Sequence, residues 1–381
     1  MSSKPYIALA ARSLCDEPGQ PNGFLFSPRD TVAALLGSRY PLTVMTTRRF
    51  RVSDWAPGAV SAEPAWLEVG GWLARRRIAA LQPAALFVED PQSHRMIETL
   101  RNWTGLPKAM IVRGSPDQFK GTYTDLPSEL ERVVKEMAGY SVIVNVSSRV
   151  AEKWKTFPEL KNCEFRYIPN CGREEEGARI LGMDRSALRA ELGFGPDAFV
   201  VVCVASVQRR KGQDLLVAAW SDIKRQVPSA ELVLVGPVCE SWGGRELLEA
   251  IRAHPFAGSI RVLGPRTDAL ELTYAADLFV LPSREEAMPR AVLETMILKT
   301  PIVASDVDGI PELVETEKEA LLFSPARPAQ LAEHIVRLAK DRPRAARLAD
   351  HARRKYDSTF ARRLQIERYR QLVDDMIGGG R

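Results

Sequence analysis

Cysteine is scarce in this chain: five are scattered along 381 residues, and no two form a Cys-x-x-Cys pair. That excludes a disulfide scaffold and a cysteine zinc site, and it suits a reducing compartment. No apolar run approaches the roughly 20 residues that a membrane-spanning helix needs. The first residues, Met1-Ser2-Ser3-Lys4-Pro5, lack a signal-peptide pattern, so the expected location is the cytoplasm. Excess charge of one sign is also small. Lys and Arg total 53 against 48 Asp and Glu, a net charge of +5. No recognised nucleic-acid motif accompanies it, and nucleic acid is not an expected partner. Internal repeats and low-complexity tracts are absent as well.

What is present describes a folded, two-domain protein. Hydrophobic residues make up 45% and charged residues 27%, the proportions of a globular chain. The length is too great for one ordinary core and suits two domains. Apolar strands alternate with helical stretches in both halves, which predicts an α/β fold with parallel sheets covered by helices. In the first half, strands are expected at 6–10, 42–45, 85–88, 109–112 and 141–144. Helices are expected from Ser27 through Leu36 and from Trp66 to Leu81. The segment 167–172 reads as a crossing into the second half. There, strands are expected at 198–204, 231–235, 260–264, 277–281 and 301–305, and helices at 213–220, 328–340 and 360–377.

The stretch Leu281-Pro282-Ser283-Arg284-Glu285-Glu286-Ala287-Met288-Pro289-Arg290-Ala291-Val292-Leu293-Glu294 is the most informative. A buried strand leads in. Pro289 suits an early helix position, where its fixed φ helps and its missing N–H costs nothing. The N–H groups of such a first turn make an anion site. A diphosphate there would direct an attached sugar toward Glu286 and a nucleoside ribose toward Glu294. A plainer reading of Ser283-Arg284-Glu285-Glu286 is a capping box at a helix start.

Glu286-x7-Glu294, followed by Thr300-Pro301-Ile302-Val303-Ala304-Ser305 and Gly309-Ile310-Pro311-Glu312, resembles the donor-site block of retaining GT-B glycosyltransferases of family 4, the glycosyl transferases group 1. The resemblance is specific from about Val201 to Pro325. It implies two Rossmann-like domains facing each other across a cleft. Residues 1–170 would bind acceptor, 171–356 would bind nucleotide sugar, and a helix within 357–381 would cross back to the first domain. It also implies transfer of a sugar from a UDP- or GDP-sugar to a hydroxyl of a glycan or lipid-linked acceptor, in polysaccharide, lipopolysaccharide or glycolipid assembly. Two rivals on the same scaffold are a UDP-sugar epimerase and an inactive nucleotide-binding partner protein.

The residues that the resemblance marks are these. Lys211, before Gly212, matches the lysine that grips the donor diphosphate, and Ser206 stands where an arginine is usual, with Arg209 or Arg210 as substitutes. Met288, Pro289, Arg290 and Ala291 supply the backbone beside the diphosphate. Arg266 in Gly264-Pro265-Arg266-Thr267 contacts the nucleobase or is a surface residue. Asp308 replaces the first of two glycines, and Gly309 reads as a turn residue. On the acceptor side, Asn22 and Gly23 fall in the expected glycine loop, and Arg113 takes the place of a histidine. Arg113 either holds a phosphate or carboxylate near the reacting sugar or forms a structural ion pair. His94 is a weaker candidate. No metal is expected to be required, since Lys211 and the helix dipole supply the counter-charge. Arg48-Arg49-Phe50-Arg51 and Trp72 to Ile78 suit either an anionic membrane surface or an ordinary amphipathic helix.

Overall fold

The computed structural model describes residues 7–10, 31–32, 34–35, 40–46, 65–68, 83–89, 105–119 and 127–378. The chain divides into two compact units, changing over between Asn170 and Cys171 and back between Ala361 and Arg362. Among the described residues, the first unit holds seven parallel strands: β1 (Ile7–Ala10), β2 (Leu42–Thr46), β3 (Ala65–Glu68), β4 (Ala85–Val88), β5 (Lys108–Val112), β6 (Val142–Asn145) and β7 (Glu164–Tyr167). Their order is β3-β2-β1-β4-β5-β6-β7. Strands β1 and β4 are buried throughout, as a parallel sheet covered on both faces requires. Ile7, Leu9, Phe87, Ile111 and Val144 pack with Tyr369, Leu372, Val373 and Met376 of the helix Arg362–Gly378.

The second unit holds β8 (Phe199–Val204), β9 (Ala230–Val235), β10 (Ile260–Gly264), β11 (Leu278–Leu281), β12 (Ile302–Ser305) and β13 (Leu321–Phe323). All pair in parallel in the order β10-β9-β8-β11-β12-β13. Val201, Cys203, Leu232, Leu234, Val280 and Val303 pack with Trp220 and Ile223 of the helix Gln213–Gln226 and with Leu331 and Ile335 of the helix Ala329–Lys340. At the start of β11, Asp277 accepts from the Val200 N–H at 2.8 Å and from Arg189 at 3.1 Å. This clamps β8 to β11. The order of connection reverses between those two strands, and the loops that leave them diverge. In an open parallel sheet that is the place where ligands bind.

Three expectations change. Residues 65–68 are a strand paired with β2, Thr43 opposite Ala65, and not the start of a helix running from Trp66. A short apolar run is consistent with either period, and here ladder pairing decides. Strand β7 was not anticipated, because Glu164-Phe165-Arg166-Tyr167 at the sheet edge carries no fully buried residue. Its two end residues are exposed. The last helix begins at Arg362, after a wider π-type turn at Tyr356–Phe360 that buries Tyr356 and Phe360.

Candidate functional site

Two loops of the second unit meet at the reversal point. After β8, the chain makes one tight turn at Arg209–Lys211 and enters the helix Gln213–Gln226 through Gly212, whose φ is +70°. A Cβ on Gly212 would lie 1.9 Å from the Pro282 carbonyl oxygen of the loop after β11. Backbone cannot yield there, so glycine is required twice over, by conformation and by space. Gly212→Ala should therefore cost about 3 kcal/mol or more through αL strain and overlap. A lowered urea midpoint would register it, and an unchanged midpoint would mean that the two loops are not held together as described.

This approach brings Lys211 to Glu286. The Lys211 ammonium bonds Glu286 Oε1, and both side chains are nearly buried, 15% and 8% exposed. Ser283 Oγ donates to the same oxygen at 2.9 Å, while Ser305 Oγ donates to the Ser283 carbonyl at 2.5 Å. The Glu286 N–H donates to Asp308 Oδ2 at 3.0 Å, and its carbonyl accepts from the Gly309 N–H at 3.0 Å. Asp308 has a φ of +43°, which explains why glycine is the ordinary occupant of such a position. Burial by itself pushes the Glu286 carboxyl up, but the charges of Lys211 and Arg210 outweigh it and hold Glu286 below the usual carboxylate range. Burial pulls the Lys211 ammonium down, against the attraction of Glu286. A compact cation–carboxylate pair results.

The helix that follows is Arg290–Leu298. Pro289 is its N-cap, extended at ψ 118°, and not a residue of the first turn as expected. The Pro289 carbonyl instead accepts from the Val292 N–H at 3.2 Å. No helix starts at Ser283, so the capping-box alternative fails: Glu286 is a loop residue. Glu294 lies in the second turn, and both its oxygens are gripped by Arg173, Nε at 2.8 Å and Nη2 at 3.3 Å. Burial alone would raise the Glu294 carboxyl, yet Arg173 holds it below the ordinary range. Arg173 was not picked out by sequence reasoning. Its only signal was a cation ahead of Glu174-Glu175-Glu176, far from the motif it serves.

Carboxylates held below their ordinary value of about 4.5 contribute stability above that pH and lose it as the pH falls through the folded value. The urea midpoint should fall as the pH drops below about 4.5. Glu294→Gln should flatten that fall, and an unchanged slope would show that Glu294 titrates alike in both states.

The remaining candidates are placed as follows. Arg210 donates to the Glu285 carbonyl at 3.2 Å, so it braces the loop after β11. Ser206 Oγ accepts from Gln208 Nε2 at 2.6 Å, and its carbonyl accepts from Gln213 Nε2 at 2.9 Å. It organises the turn before Lys211. Met288 is buried and Ala291 half-buried, both beside the helix start. Arg266 forms an exposed fork with Asp268 at 2.8 and 2.6 Å. In the first unit, Arg113 donates to Glu89 Oε2 at 2.9 Å, Thr31 Oγ1 at 2.8 Å and Asn170 Oδ1 at 3.0 Å. Glu89 is buried, and Arg113 forms an ion pair with it. Asn22, Gly23, His94, Arg48 to Arg51 and Trp72 to Ile78 lie outside the described residues. The sequence does contain an Asp-x-Asp triplet, Asp306-Val307-Asp308. Among the described residues, however, no group of three His, Cys, Asp or Glu is arranged to hold a metal. No helix among them is long and apolar enough to cross a membrane.

Residues 198–341 match the model of the family described as glycosyl transferases group 1. A D-inositol 3-phosphate glycosyltransferase of Segniliparus rotundus is 32% identical over 174 residues, 43% of this chain and 39% of the relative. The chain thus spans about two fifths of that curated relative. Among solved structures, a sucrose-phosphate synthase from Thermosynechococcus elongatus superposes with a TM-score of 0.80 at 19% identity, covering 99% of this chain and all of the other. Anabaena HepE, solved in complex with UDP-glucose, gives a TM-score of 0.77 at 19% identity over 97% of this chain and 99% of its own. The fold is the α/β architecture of two parallel-sheet units known as GT-B.

Proposed function

We propose, from the match of residues 198–341 to the glycosyl transferases group 1 family, that the protein is a retaining glycosyltransferase. Its donor is a UDP- or GDP-sugar and its acceptor a hydroxyl of a glycan or lipid-linked molecule, in the cytoplasm. The observation that carries the reading is the buried Lys211–Glu286 pair at the β8/β11 reversal, followed at once by a helix whose second turn presents Glu294. The helix start and Lys211 take the diphosphate, Glu286 the hydroxyls of the transferred sugar, and Glu294 the ribose. On donor binding, sugar and phosphate replace the direct contact between Lys211 and Glu286. The bond between the anomeric carbon and the phosphate oxygen breaks, and the acceptor oxygen bonds that carbon on the same face. The acceptor proton passes to the departing phosphate. Negative charge grows on that phosphate as the bond breaks, and Lys211 stabilises it more in the transition state than in the ground state. The counter-charge comes from the chain and the helix dipole rather than from a required metal. Arg113, neutralised by Glu89, has a supporting role in the first unit.

A thermal-shift screen of nucleoside diphosphates and sugar nucleotides tests the donor reading. A ligand at a hundred times its Kd stabilises the fold by about 2.7 kcal/mol. Product NMR then reports the anomeric configuration. No shift with any of them sinks the proposal, and alteration of the sugar with donor alone favours an epimerase. Contact with anionic membrane through Arg48, Arg49, Arg51 and Arg75 to Arg77 is tested by salt-dependent sedimentation with anionic vesicles.

A further inference from the structure

Glu294 does not choose its own orientation. A glutamate at the second turn of a helix has three side-chain torsions, and a binding carboxylate must have its plane set by something else. Arg173 meets it with two nitrogens, a planar fork on a planar acceptor. Arg173 Nη1 is bonded in turn to Glu176 at 3.1 Å. The backbone that carries Arg173 is fixed by further contacts. A Cβ on Gly172 would lie 2.5 Å from Ile297 Cδ1 and 3.5 Å from Glu294 Cγ, and one on Gly177 would lie 2.4 Å from Ile297 Cγ2. The Gly172 N–H donates to the Tyr356 hydroxyl at 3.0 Å, and that hydroxyl donates to Glu174 at 2.8 Å. The segment 172–177 is therefore packed directly on the helix that bears Glu294.

An ionised carboxylate offers about four acceptor positions, and the fork takes two. One position remains on each oxygen, the pattern that suits two neighbouring hydroxyls. We propose that Arg173 is a positioning residue that sets Glu294 to read the 2′,3′-diol of the donor's ribose. It thereby makes the site selective for ribonucleoside over deoxyribonucleoside diphosphates. The inference rests on the donor reading above. Lysine cannot replace arginine in this role, because a point charge satisfies the carboxylate without fixing its plane.

Calorimetry with UDP and 2′-deoxy-UDP, or GDP and 2′-deoxy-GDP if UDP does not bind, tests it on wild type, Arg173→Lys and Arg173→Gln. Thermal unfolding is recorded for each protein. Wild type should prefer the ribonucleotide by about tenfold or more, the worth of a hydrogen bond to a charged acceptor. Both variants should bind the deoxynucleotide nearly as wild type does, and the preference should fall to about twofold. A folded Arg173→Lys protein that keeps the full preference overturns the proposal and leaves Arg173 a structural counter-ion. If Arg173→Gln does not fold, Arg173→Lys decides alone. Wild type that binds neither UDP nor GDP overturns the donor reading itself, and this inference with it.

Discussion

Replacing Lys211 by alanine lowers kcat by about a hundredfold or more, with a smaller change in KM. A fixed charge at a developing oxyanion is typically worth about 3 kcal/mol in the transition state. The ground-state effect is smaller, because the lysine already has a partner in Glu286 before any ligand arrives. Loss of the ammonium also leaves the Glu286 carboxylate nearly buried, with Ser283 as its remaining side-chain donor. Lys211→Ala therefore lowers thermal stability too, and the rate must be measured well below the unfolding midpoint. Lys211→Met, which fills the volume and lacks the charge, should show the same rate loss. A folded variant with unchanged kcat would remove Lys211 from the chemistry.

The second large effect separates the two glutamates. Glu294→Gln weakens nucleoside diphosphate and intact donor alike, by about tenfold or more, since each presents the same ribose. Glu286→Gln leaves nucleoside diphosphate affinity near wild type while turnover falls sharply, because on the proposed reading only the transferred sugar meets that side chain. Titration calorimetry of both variants with the nucleoside diphosphate, beside rates with the sugar nucleotide, distinguishes them. Equal losses of nucleotide affinity in both would sink the assignment.

The placing of Lys211 after β8, Glu286 after β11 and Glu294 before β12 was legible because those strands are apolar and buried, which makes them plain in a sequence. Their partners were not. Arg173 is 121 positions from Glu294 in the chain, and only the packing of Gly172 and Gly177 on Ile297 brings them together. Asp308 stood out as a departure from paired glycines, but its bond to the Glu286 N–H depends on a φ that side-chain identity does not announce. Likewise, the proline at 289 marked a helix start correctly to within one residue. Whether it lies inside the helix or caps it is settled by ψ, which proline leaves open. Strand β13, Leu321–Phe323, is three residues long and too brief to show a period. Arg113 illustrates a different limit. Its two readings needed the same residue type, and the buried Glu89 with which it pairs lies 24 positions away with no signal of its own.

The helix Arg362–Gly378 belongs to the core of the unit whose first strand is Ile7–Ala10. The unit begun first in synthesis is thus completed last. On the ribosome, Ile7, Leu9 and Phe87 emerge hundreds of residues ahead of the Tyr369, Leu372 and Val373 that cover them. The second unit's six strands and their helices lie in one stretch from Cys171 to Ala361, so its core is available while the first still waits. Domains generally fold as units when their residues become available. The second unit is therefore placed to fold ahead of its elder, and a nascent chain halted before Arg362 would display an apolar face that invites chaperone capture.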